Sequence, residues 1–170
     1  MPQSPQKSIE QIVEEVGRYP IDAFMFVQEC IAHAADAVHG PMSDDEKAVA
    51  RWMAEFELDY PTLATAYYEN ALPPEIQDIL DRLDGVEKMN RHVTGQQLCW
   101  AMRDAALARW GLLARTVLAR WNITRTEDIG AIIFALVNHG WLQKQPTDLP
   151  EDFSHVFDFD QAFEQAYRMG

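Results

Sequence analysis

HVTGQQLCWAMRDAALARWGLLARTVLARWNITRTEDIGAIIFALVNHGWLQKQPTDLPEDFSHVFDF, residues 92–159, decides how the chain is read. Thr94 and Gln97 stand three apart as a capping box, which predicts a helix running to Trp110 with Gly111 as its stop. Leu98, Met102, Ala105 and Ala106 form one apolar stripe on it. Trp100 and Leu107 form a second on roughly the opposite side, so this helix reads as sandwiched. A second helix is predicted over 112–121, with Leu113, Val117, Leu118 and Trp121 turned inward and Asn122 as its stop. Thr124 with Glu127, or Thr126 itself, opens a third helix whose stripe is Ile129, Ile132, Ile133, Leu136 and Val137. The period then changes. Residues 141–144 read as a short strand and 145–152 as a proline-containing loop. Residues 153–159 alternate, with Phe153, His155, Phe157 and Phe159 on one face. Three helices followed by a hairpin is the winged-helix order. Asp160 is expected to cap a last helix through Tyr167.

Outward from that stretch the chain reads as helical. Ser8 with Gln11 predicts a short helix over 9–16, stopped by Gly17. Pro20 and Asp22 then open a long apolar helix over 21–38, broken by Gly40-Pro41. Ser43 with Glu46 opens a helix over 44–56. Thr62 is expected to cap a short helix through Tyr68, and Pro74 to start one through Leu83. The expected organisation is N-terminal helices in 1–40, an acidic helical insert in 41–91, and a winged-helix-like unit in 92–170. The expected fold class is mainly α with one small β-hairpin.

The bulk numbers restrict function. With 27 acidic and 14 basic residues among 170, the net charge is −13, which favours solubility and works against binding to phosphate-rich surfaces. Residues 1–81 carry a net −12, residues 82–125 a net +5 and residues 126–170 a net −6. Two cysteines, Cys30 and Cys99, make no disulfide framework and fit a reducing compartment. The start, MPQSPQKSIE, shows no apolar signal region. The longest apolar run, 131–137, is far short of the roughly 20 residues a membrane span needs. A cytoplasmic protein with no membrane contact is the expectation.

The run quoted above, with RYPIDAFMFVQE before it and the ending VFDFDQAF after it, resembles a family of uncharacterised bacterial proteins largely restricted to planctomycetes and verrucomicrobia. HVTGQ, GLLARTVL, RTEDIG and VFDFDQAF carry the resemblance together, over roughly two thirds of the chain. Residues 41–91 have no counterpart of this length in it. The resemblance implies a bacterial cytosolic setting and assigns neither an activity nor a catalytic residue.

Candidate sites follow from residue types and spacing. A winged helix that reads DNA needs donors on the outer face of its third helix. Here that face offers Glu127, Ala131, Ala135 and Asn138, with Asp128 beside it. Two carboxylates at a helix start oppose phosphate. Ala131 and Ala135 instead permit close approach of a partner helix, from another protein or a second copy. The arginines left for nucleic acid are Arg103, Arg109, Arg115, Arg120 and Arg125, spread over two helices and a loop. Glu29, His33 and Asp36 share a helix face at spacings that permit metal ligation, but not in the Glu-x-x-His or His-Glu-x-x-His patterns of known metal helices. No metal and no cofactor is expected. Cys30 and Cys99 lie on apolar stripes, where cysteine behaves as a small hydrophobe. His155 reads as a core histidine on its strand, and the pair Asp158 and Asp160 is read as helix capping by one of them rather than as a paired-carboxylate site.

The leading expectation is therefore a protein-interaction or regulatory module without catalysis, whose partner is another protein or a second copy. The alternative is a nucleic-acid-binding winged helix that uses the local arginines. A small-molecule or metal site among the N-terminal helices comes third.

Overall fold

A computed structural model describes residues 7–142 and 150–169, with side chains as far as Glu164. The chain divides into two compact units. Of the described residues, one comprises His39–His92; the other is built from residues 7–38 together with those from Val93 onward. Among the described residues the secondary structure is helical and contains no strand.

The discontinuous unit begins with α1 (Ile9–Val16). Its N-terminus is closed by the predicted capping box: the Ser8 hydroxyl accepts from Gln11 N–H at 3.2 Å, and Gln11 Oε1 accepts from Ser8 N–H at 2.9 Å. Gly17, at φ 67°, turns the chain into α2 (Ile21–His39). The chain re-enters the unit at α6 (Gly95–Trp110), whose Thr94–Gln97 capping box has bonds of 3.1 and 2.9 Å. A 3-10 turn, Gly111–Leu113, leads into α7 (Ala114–Arg120) and then α8 (Thr126–Asn138). A second 3-10 turn at Pro150–Phe153 precedes α9 (Phe159–Met169). Phe24, Val27, Met102, Leu118, Ile123, Ile129, Ile132 and Leu136 are fully buried in one continuous core.

The hairpin is corrected. Trp141 and Leu142 lie in a bend, while Gln143 and Lys144 fall outside the described residues. Residues 153–159 form the end of a 3-10 turn, a tight turn and the start of α9. The polar groups of this segment are used by α8 rather than by a partner strand. The Thr126 hydroxyl donates to the Phe153 carbonyl at 2.6 Å and accepts from Val156 N–H at 3.2 Å, and the Glu127 carboxylate accepts from His155 N–H at 3.3 Å. His155 is exposed at φ 50°, a left-handed conformation that breaks any strand and removes it from the core. The aromatic alternation has another cause. Phe153 plugs the gap between the N-terminus of α6 and α8, where a Cβ on Gly130 would meet its Cβ and Cγ at 2.9 Å. Phe157 joins Phe159, Phe163 and Trp100 in an aromatic cluster. With no strand among the described residues, the C-terminal stretch is a set of helices and 3-10 turns and does not show a winged helix.

Two smaller expectations are also revised. The helix foreseen over 112–121 starts later, because Gly111, at φ 54° and ψ −124°, sets a 3-10 turn. Ala114 then takes the inward position with Leu118, and Leu113 faces solvent at 62% exposure. The cap of α9 is Asp158, whose side chain accepts from Gln161 N–H at 3.2 Å, while Asp160 pairs with Arg115.

The His39–His92 unit holds α3 (Asp44–Glu55), α4 (Tyr60–Tyr68) and α5 (Pro74–Arg82). Val49, Leu63, Ile76, Leu80, Leu83, Val86 and Met89 form its own core. Ser43 caps α3 as expected. Asp59, rather than Thr62, caps α4, accepting from Thr62 N–H at 2.9 Å. All three helices end alike, with a left-handed residue and a hydrogen bond reaching five residues back. These are Glu57 with Leu58 N–H to Met53 O (2.9 Å), Asn70 with Ala71 N–H to Ala66 O (2.8 Å), and Asp84 with Gly85 N–H to Leu80 O (3.0 Å). In the other unit Asn122 and Gly140 close α7 and α8 in the same way.

No helix among the described residues is long and apolar enough to cross a membrane.

Candidate functional site

The predicted interaction face on α8 is not one surface. Asp128 is 2% exposed and is a structural residue. Its Oδ2 accepts from Thr124 N–H at 2.9 Å and from Arg125 N–H at 3.2 Å, satisfying donors left open at the start of α8. Its Oδ1 accepts from the Tyr19 hydroxyl at 2.6 Å, with Arg18 at 3.3 Å. Glu127 is half-buried. Burial pushes its carboxyl upward, but hydrogen bonds from its own amide and from His155 N–H, with the nearby Arg125 charge, hold it below the ordinary carboxylate value. Ala135 packs partly against the core. Ala131 and Asn138 remain exposed.

The five arginines do not form one basic surface. Arg109 pairs with Glu29 at 2.8 Å, Arg103 with Asp104 at 2.6 Å, and Arg115 with Asp160. Arg103 also stacks on Trp100, with its guanidinium carbon 4.6 Å from the ring centre. Arg120 and Arg125 are exposed. Three of the five therefore have their charge met by a carboxylate of the same chain, which lowers what they offer to phosphate.

Of the spaced trio on α2, Glu29 is the partner of Arg109, so its neighbouring cation is a guanidinium. His33 and Asp36 are exposed on the same helix. Among the described residues no group of three or more His, Cys, Asp or Glu is placed to hold a metal. Cys30 and Cys99 are buried at 1% and 0% exposure, and burial pushes both thiols up to about 12. At that value the thiolate that nucleophilic chemistry requires is scarce at neutral pH.

Two surface features emerge that the sequence reading missed. The first is the turn Gly111–Leu113. Leu112 is 69% and Leu113 62% exposed, and between them they put adjacent aliphatic side chains into water. The periodicity of 112–121 hid them, because Leu113 shares a helical stripe with Val117 and Leu118. The second is a groove of about 530 Å³ between α2 and α6, lined by Phe26, Glu29, Cys30, His33 and Ala37 on one side and by Ala101, Asp104, Ala105, Ala108 and Arg109 on the other. Of its lining residues the sequence reading placed Glu29 and His33 on a candidate metal face and Cys30 and Ala105 on apolar stripes, and did not bring them together.

No protein-family model, no curated protein and no solved structure matches this chain.

Proposed function

We propose that the protein is a non-catalytic protein-interaction module, which engages a partner protein or a second copy of itself through the turn carrying Leu112 and Leu113. The observation that carries this reading is their exposure, 69% and 62%, on a tight turn. A single exposed leucine is ordinary, but two adjacent ones at the head of a helix form an apolar knob whose burial on association is favourable, by about 25 cal/mol per Å² of apolar area removed from water. The chemistry of the rest of the unit supports it. Both thiols are buried and raised, and Asp128 is committed to the start of α8. The pairing of Arg103, Arg109 and Arg115 weighs against the nucleic-acid alternative. Cytoplasmic residence and membership of the bacterial family named above belong to the same proposal. Acidic composition and two unpaired, buried cysteines are consistent with a reducing cytosol. The test is recovery of a stoichiometric partner with the wild-type chain and its loss with the double variant Leu112→Ser, Leu113→Ser.

A further inference from the structure

Helices α2 and α6 are neighbours in the discontinuous unit and run antiparallel, with Phe26 meeting Trp110 at 5.1 Å between ring centres and Glu29 meeting Arg109 at 2.8 Å. Ala37, from the last turn of α2, and Ala101, from the first half of α6, line the groove between them. The end of one helix thus faces the start of the other, an arrangement that a turn of a few residues ordinarily joins. Here the joining segment is the whole His39–His92 unit. Gly40, at φ 80°, stops α2, and Thr94 restarts the helical path with its own capping box. Between them the insert closes on itself, because His39 Nε2 donates to the His92 carbonyl at 2.7 Å and pins its two ends together.

The insert carries its own packing and its own polar ties. Its core, centred on Val49, Leu63 and Leu80, shares no side chain with the core of the host unit among the described residues. Arg82 pairs with Asp45 at 3.1 Å, the Tyr67 hydroxyl donates to Asp81 at 2.9 Å, and the largely buried Arg91 meets Glu46 at 3.8 Å, each within the insert. The host is closed in the same internal way. Tyr19 reaches Asp128, and Asn122 donates to the Arg18 carbonyl at 2.7 Å, so its two sequence halves are tied to each other directly. Cooperative unfolding follows continuous packing, and cores that share no side chain open at separate costs. Among the described residues seven buried apolar side chains hold the insert and twenty-three hold the host, which makes the insert the unit that opens first.

We propose that the His39–His92 unit is a separately folding module set into the tip of a helical hairpin, and that it opens and refolds while the host stays folded. The Leu112–Leu113 turn belongs to the host and keeps its shape while the insert opens. Association at that turn and opening of the insert are then separate properties of one chain.

Hydrogen exchange of the full chain under native conditions, read peptide by peptide, tests this. Leu80 is fully buried in the insert and Leu118 in the host. Leu80→Ala is expected to speed exchange of the protected α3 and α5 amides by about thirtyfold or more, and to leave those of α6 and α8 within about twofold of the wild type. Leu118→Ala is expected to do the reverse. Should either variant unfold its own unit outright, the other unit is expected to keep its wild-type protection. Comparable acceleration of α6 and α8 by Leu80→Ala overturns the proposal, because the chain is then one cooperative unit. Acceleration of α3 and α5 by Leu118→Ala overturns it as well, because the insert then depends on the host. So does unchanged α3 and α5 exchange in Leu80→Ala, because the insert then has no opening of its own.

Discussion

Tyr19 donates a 2.6 Å hydrogen bond to Asp128, joining the loop between α1 and α2 to the first turn of α8 across 109 residues of sequence. The ring is 3% exposed and the carboxylate 2%, so the bond is made away from water. A charged acceptor strengthens it, and Asp128 uses its other oxygen on two backbone N–H groups. One acidic side chain thus caps a helix and ties the N-terminal helices to the C-terminal ones.

Tyr19→Phe is expected to lower stability at pH 7 by about 2 kcal/mol, because a buried carboxylate oxygen loses its donor. The pH dependence follows from the phenol. Burial, then the Asp128 hydrogen bond and charge, raise the Tyr19 pKa well above its ordinary value. A group whose folded pKa is raised gives stability that is fully present below its unfolded pKa, near 10, and is lost as pH rises from there toward the folded pKa. Urea midpoints between pH 9 and 11 should fall for the wild type and fall less steeply for Tyr19→Phe. Parallel slopes would contradict the assignment.

Gly130→Ala should destabilise the discontinuous unit. Its Cβ would meet Phe153 Cβ and Cγ at 2.9 Å, and the Phe153 backbone cannot retreat without breaking the 2.6 Å bond from Thr126. A loss of about 1–3 kcal/mol is expected, as for overpacking elsewhere. Phe153→Ala should cost about 3–5 kcal/mol. Combining Gly130→Ala with Phe153→Ala, which removes the Cγ and Cδ2 that the new methyl would meet, should cost less than the sum of the two single losses, measured by chemical denaturation.

How far the sequence could be read is clearest around these residues. Capping boxes at Ser8 and Thr94 and the stop residues Gly17, Asn122 and Gly140 are local signals, and the structure carries each of them. The alternation of Phe153, His155, Phe157 and Phe159 misled because its cause is tertiary: one ring fills a gap over Gly130, and two others join Trp100 and Phe163. Asp128 looked like an outward charge at a helix start, and only the arrival of Tyr19 and Arg18 from the other end of the chain shows it to be interior. The exposure of Leu112 follows from the turn at Gly111, whose backbone angles no periodicity reports.

Glu57→Gly should stabilise the His39–His92 unit. Glu57 holds φ 52° at the end of α3, a conformation that costs an ordinary residue roughly 1 kcal/mol and glycine little. A gain of about 0.5–1 kcal/mol in that unit's unfolding transition is expected. Glu57→Val should do the opposite.

Leu112→Ser, Leu113→Ser should leave folding stability within about 0.5 kcal/mol of the wild type, because neither side chain is buried. Leu118→Ala, one helical turn beyond Ala114 and fully buried, should cost about 2–5 kcal/mol. Thermal unfolding of the two variants side by side checks that the exposed pair serves association and the buried one the core.

The most direct measurement is quantitative affinity purification of a tagged chain from cells that express it naturally, alongside an untagged copy, for the wild type and for Leu112→Ser, Leu113→Ser. The wild type should recover a protein in near-stoichiometric amount, the untagged copy included, and the double variant should lose it while remaining folded. Equal recovery with both chains, or no recovered protein with the wild type, would contradict an interaction module built on that turn.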